Sequence, residues 1–198
     1  MTAQRLVELL AGDCRTLVLA ESCTAGLVSD LVARVSGASA VLWGSFVCYS
    51  PGAKQRMLGL DGGMLERHGL ASAETAHEMA IHALRQSDAS ISAAVTGVAG
   101  PAGDGSATPV GTVWIALAFR EKAGAAERSA TEKKLCFHGN RAEVRMQAAV
   151  LVLRELLDLA VSLGPPAWNR GVGTRADSWG SGVYLKGKPL SGTGNRSK

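Results

Sequence analysis

The chain has 198 residues, 46% of them apolar and 19% charged, enough for one domain with a real core and unlike a fibre or a disulfide-stapled miniprotein. Its net charge of +4 is uneven, because residues 165–198 hold Arg170, Arg175, Lys186, Lys188, Arg196 and Lys198 against Asp177 alone. The remaining body is close to neutral, which argues against a surface that neutralises many phosphates, so no nucleic-acid partner is expected. The longest apolar runs, Val110 to Phe119 and Ala148 to Leu153, fall short of the roughly 20 residues that cross a bilayer. Arg5, Glu8 and Asp13 interrupt the N-terminal apolar pattern, unlike an export signal. A soluble, cytoplasmic protein with no membrane partner is expected.

In chain order, Ala3 to Leu10 has apolar residues at helical spacing and Gly12 stops it. Thr16 to Ala20 is a short run of strand formers, followed by the polar cluster Glu21-Ser22-Cys23-Thr24 and a second helical pattern from Ala25 to Val35. Val41 to Tyr49 reads as a strand, Gly52 to Leu58 as a short helix, and Ser72 to Gln86 as an amphipathic helix with Ser72 as its N-cap. Ala89 to Val95 is a strand that runs into the glycine-rich loop Thr96 to Gly103, and Gly111 to Phe119 and Lys133 to Phe137 are further strands. Arg141 to Leu163 is a long helix. Alternating strands and helices predict a layered α/β domain over residues 1–164. The last two strands are joined without room for a full helix, so the sheet is expected to be mixed. After Gly164-Pro165-Pro166, residues 165–198 are rich in Gly and Pro and lack periodicity, and a disordered tail is expected there.

Cys14, Cys23, Cys48 and Cys136 form no CxxC pair, and His68, His77, His82 and His138 form no HExxH, so neither a metal site nor a disulfide framework is expected. The thiols are expected to be mostly buried and reduced.

Ser22 lies where a strand hands over to a helix, a junction whose free amides, from Cys23 through Thr24 and Ala25 to Gly26, can hold an oxyanion. From spacing alone, capping of that helix is the commoner role for Ser22 or Thr24. Tyr49 and Lys54 end the next strand and begin the next helix, where both can project towards Ser22. A lysine serves as base only when burial lowers its pKa, and a tyrosine hydroxyl can relay a proton. Cys23 is a rival nucleophile in the same loop. Thr96, Gly97 and Gly100 belong to a loop of phosphate-cradling character that matches neither GxGxxG nor the triphosphate-binding loop. Arg141 and Arg145, one helical turn apart, can meet an anion.

Taken together, Ala20-Glu-Ser-Cys-Thr-Ala-Gly26, Tyr49-Ser50 with Lys54, Ala94-Val-Thr-Gly-Val-Ala-Gly-Pro101, Pro109-Val-Gly-Thr-Val113 and Gly139-Asn-Arg141 with Val144-Arg145 resemble the CinA C-terminal domain, the nicotinamide-nucleotide amidohydrolase family. The likeness covers about residues 4–162. It implies a three-layer α/β/α sandwich with a mixed, mostly parallel sheet, often dimeric, without metal or cofactor. It also implies hydrolysis of the carboxamide of nicotinamide mononucleotide to nicotinate mononucleotide and ammonia. Ser22 then maps to the nucleophile, with Lys54 and Tyr49 as its catalytic partners. The expected partners are a small nucleotide substrate and a second copy of the chain. The alternative is a nucleotide-binding module of the same fold without catalysis.

Three positions differ from the family pattern: Ala25 stands where glycine is usual, Pro51 where asparagine commonly follows the serine, and Ala102 where glycine is usual. Pro51 removes an amide donor beside Lys54, and Ala102 adds a methyl group to the glycine-rich loop. The chain is expected to be a stand-alone form, without the N-terminal pyrophosphatase-like domain of longer relatives.

Overall fold

The computed structural model describes residues 2–121 and 125–165. The elements run α1 (Thr2–Gly12), β1 (Leu17–Glu21), α2 (Leu27–Ala33), β2 (Leu42–Val47), α3 (Pro51–Leu58), α4 (Gly62–His68), α5 (Ala73–Arg85), β3 (Ile91–Gly97), β4 (Thr112–Phe119), β5 (Arg128–Cys136) and α6 (Arg141–Leu163). The sheet order is β2-β1-β3-β4-β5. β1 pairs in parallel with both β2 and β3, whereas β4 runs antiparallel to β3 and β5 antiparallel to β4. Four strands therefore share one direction and β4 opposes them, as the short β4–β5 connection requires.

The two faces of the sheet are built differently. Leu17, Leu19, Ile91, Val95, Ile115 and Leu117 pack against α1, α2 and α6. The opposite face presents Val18 and the alanines at 20, 94, 116 and 118 to α3, α4 and α5. Small side chains let α5 lie directly over the middle of the sheet. β1 is buried on both faces, which is why its sequence is a continuous apolar run rather than an alternating one. The result is a three-layer α/β/α sandwich.

Ser72 caps α5 by accepting from the Thr75 amide, and α6 has the bounds its periodicity indicated. Its capping box, Asn140 with Glu143, starts it where the apolar stripe begins. Two elements depart from the sequence expectation. α4 begins at Gly62-Gly63 behind an Asp61 cap, and β5 starts at Arg128, five residues before Lys133. Of the thiols, Cys23 and Cys48 are buried, but Cys14 and Cys136 are exposed, which corrects the expectation of mostly buried cysteines. Among the described residues, no helix is long and apolar enough to cross a membrane, and no group of three or more His, Cys, Asp or Glu could hold a metal ion. The disorder expected for the tail concerns residues that, beyond Pro165, lie outside those described.

Candidate active site

β1 is flanked by two parallel neighbours, β2 reached by one connection and β3 by another. Between β1 and β3 the chain's path across the sheet reverses, and open α/β sheets bind ligands in the crevice at the carboxyl ends of such a strand pair. The ladders run to the very end of β1: the Cys48 amide donates to Glu21 O at 2.8 Å and the Ser22 amide to Val95 O at 2.9 Å. The backbone then leaves the sheet at Ser22, turning through Ala25 (φ 52°) and Gly26 (φ 92°) into α2.

Neither Ser22 nor Thr24 caps α2. That role falls to Glu21, which is 0% exposed. Its Oε2 accepts from the amides of Gly26 and Val28, both at 3.0 Å, and its Oε1 from the Ser29 amide at 2.9 Å and the Ser29 hydroxyl at 2.8 Å. The Ser22 hydroxyl is thereby left for another partner.

That partner is Lys54. Ser50 caps α3 by accepting from the Ala53 amide, and Pro51 occupies the first turn, where its missing N–H costs nothing. Far from displacing Lys54, Pro51 pre-forms the helix that carries it. Lys54 and Leu58, one turn apart, are the buried residues of α3. The Lys54 side chain is 0% exposed, and its Nζ donates to Ser22 Oγ at 2.8 Å and to Cys48 O at 2.9 Å. No acid pairs with it among the described residues, and burial lowers its pKa from 10.5 to about 8.

Ser22 and Lys54 open onto a cleft of about 270 Å³, lined also by Cys23, Tyr49, Leu70, Thr96, Gly97, Gly100, Asp104 and Arg141. Each wall has a structural cause. Gly97 has no alternative, because a Cβ there would lie 2.4 Å from Thr112 O in the neighbouring strand. The Thr96 hydroxyl donates to Leu70 O at 2.7 Å and so fixes the opposite loop. Gly100 sits at φ 81°, and its carbonyl accepts from Arg141 Nη1 at 2.7 Å.

Several expected site residues are arranged differently. Tyr49 lines the cleft but is 54% exposed. Its hydroxyl accepts from Arg141 Nη2 at 2.5 Å and makes no hydrogen bond to Ser22 or Lys54 among the described residues. It holds Arg141 at the rim of the cleft. Arg145 is outside the cleft lining: its Nε donates to Cys23 O at 3.1 Å and its Nη2 to Thr24 O at 2.7 Å. The Ala25 amide donates to Ser22 O and the Gly26 amide to Glu21, so of the four expected oxyanion amides only those of Cys23 and Thr24 donate to no oxygen among the described residues. Thr24 is wholly buried and its hydroxyl lacks a partner among them. Burial pushes the Cys23 thiol up to about 11, so it remains protonated near neutrality and is a poor rival nucleophile. Sequence reasoning missed Glu21, whose only signal is an acid between an apolar strand and a helix start.

A serine hydroxyl hydrogen-bonded to a buried lysine that has no acid partner among the described residues thus sits at the carboxyl ends of parallel strands in an α/β/α sandwich. The chain belongs to the CinA C-terminal domain family, which it matches over residues 1–160. It is similar to the nicotinamide-nucleotide amidohydrolase PncC of Escherichia coli K12, with 39% identity over 141 residues, 71% of this chain and 82% of that protein. It is also 39% identical over 153 residues to a CinA-like protein of Chlorobium phaeovibrioides, covering 77% of this chain but 36% of the relative, so it spans about a third of that longer protein. Among solved structures, competence damage-inducible protein A from Klebsiella pneumoniae superimposes with a TM-score of 0.76 at 28% identity, covering 82% of this chain and 97% of the other. A CinA superfamily protein from Escherichia coli gives 0.71 at 31% identity, covering 80% and 88%.

Proposed function

We propose that the protein hydrolyses the carboxamide of nicotinamide mononucleotide, releasing ammonia and nicotinate mononucleotide, with Ser22 as nucleophile and Lys54 as base. The carrying observation is the contact of 2.8 Å between Lys54 Nζ and Ser22 Oγ in a site that strips the lysine of water. Similarity to PncC amidohydrolases supports the substrate. Arg141 supports it too, because it faces the cleft with only neutral acceptors on its guanidinium among the described residues, which leaves its charge to meet a phosphate.

In the neutral form of Lys54 the contact reverses, with the Ser22 hydroxyl donating to the Nζ lone pair. Nζ takes that proton as Oγ bonds to the carboxamide carbon and the C=O electron pair moves onto oxygen. When the pair returns, the C–N bond breaks and the lysine ammonium gives its proton to the departing nitrogen, which leaves as ammonia. Water then attacks the resulting ester, passing a proton to Lys54. The C–Oγ bond breaks, Oγ recovers that proton, and the acid product loses its own to solvent.

The test is ammonia release from nicotinamide mononucleotide by the purified protein. Ser22→Ala should abolish release, and Lys54→Ala should lower it by about 10² to 10⁴. Undiminished turnover in the Ser22 variant would overturn the mechanism, and tight nucleotide binding without ammonia release would mark a binding module instead.

A further inference from the structure

Two charged side chains that the reaction above does not consume meet the nucleophile turn from opposite sides. Glu21 accepts only from donors: the amides of Gly26, Val28 and Ser29 and the Ser29 and Ser45 hydroxyls. Arg145, reaching from α6, donates to the carbonyls of Cys23 and Thr24. Neither has an ion-pair partner among the described residues. Burying a carboxylate without a countercharge is costly, and a neutral serine or asparagine caps a helix at less cost. The expense is intelligible if the whole turn, and not the helix end alone, must be immobilised.

A trans peptide sets its N–H opposite its C=O. Holding Cys23 O on Arg145 therefore turns the Thr24 N–H to the other side of the turn, and holding Ser22 O on the Ala25 amide fixes the Cys23 N–H in the same way. Among the described residues these two amides of the turn donate to no oxygen, and Ser22 and Cys23 themselves line the cleft. We propose that Glu21 and Arg145 are positioning residues, whose two-sided grip presents the Cys23 and Thr24 amides to the oxyanion formed when Ser22 attacks. The inference rests on Ser22 being the nucleophile, and it moves Arg145 from substrate contact to support of the turn. The Arg145 charge on Cys23 O polarises that peptide in the sense that strengthens its N–H, the Thr24 donor.

The test uses a fluorophosphonate probe, which phosphonylates Ser22 as Oγ bonds to phosphorus, fluoride leaves and Lys54 takes the hydroxyl proton, and which also needs its oxygen stabilised. Wild type should be labelled at Ser22, and Glu21→Gln and Arg145→Met should each slow labelling about tenfold or more. Arg145→Lys should recover part of the loss. With nicotinamide mononucleotide the same variants should lower kcat, leave KM unchanged and keep the pH midpoint of wild type, since Lys54 sets it. Wild-type labelling rates in folded Glu21→Gln or Arg145→Met protein would overturn the proposal, as would a raised KM with unchanged kcat for Arg145→Met. Should Glu21→Gln fail to fold, the half-buried Arg145 decides the matter. No labelling of wild type at Ser22 would overturn the nucleophile and this inference together, whereas labelling without ammonia release would overturn the substrate alone.

Discussion

A lysine amine that touches a serine hydroxyl acts as a base only once burial has removed its water, and Lys54 meets that condition with a pKa lowered to about 8. Below that value the amine is protonated and cannot take the Ser22 proton. Turnover is therefore expected to fall tenfold per pH unit below about 8 and to level off above it, as a pH–rate profile of kcat/KM would show. Ala25 is the second residue with a consequence of its own. It occupies the left-handed region at φ 52°, where a Cβ is strained. Ala25→Gly is expected to raise unfolding stability by about 0.5 to 1 kcal/mol, read from the denaturant midpoint, because relief of strain outweighs the extra freedom of the unfolded chain. Ser22 and Lys54 were legible as candidates because their residue types and strand-end positions suit the chemistry. For Tyr49, spacing places a side chain near the site without saying which group claims its hydroxyl, and here Arg141 does. Glu21 was invisible as a cap because its carboxylate reaches back over amides five to eight residues ahead, outside the usual capping window.

Elements were legible where an apolar period is long. α5 and α6 follow from their stripes and caps, and β1 and β3 from continuous apolar runs. α4 was hidden because it starts with two glycines, which read as loop, while its stability comes from the Asp61 cap and from burying Leu65. The first part of β5 was hidden because an edge strand can carry charge: Arg128 and Glu132 find Glu121 and His77. In the proposed mechanism α3 matters most, because it is only eight residues long yet carries Lys54. Ser50→Ala removes its side-chain cap and is expected to cost about 1 kcal/mol in chemical denaturation. Ammonia release should drop by more than the global loss of stability would explain, since the frayed turn is the one that seats the amine.

At the scale of the molecule, every residue of the candidate site lies between Glu21 and Arg145, at one end of one sheet. The basic surplus lies in residues 165–198, away from that stretch in sequence. A chain ending at Pro165 is accordingly expected to keep its kcat/KM for nicotinamide mononucleotide, and a large loss on truncation would show that the tail serves the site. The layered α/β class could be read from the alternation of elements, and the antiparallel β4 from the short link that follows it. Which helices cover which face could not, because the division depends on whether large or small side chains alternate on each strand of the assembled sheet.

The docking of α3 gives the molecule an internal clock for its own loss of competence. In the unfolded chain the serine and lysine are 32 positions apart and chemically ordinary. In the proposed mechanism they act as a couple only while one short segment stays clamped to the sheet edge. Under mild urea or warming, that segment is expected to detach before the sandwich opens, so hydrolysis would fade while circular dichroism still reports an intact fold.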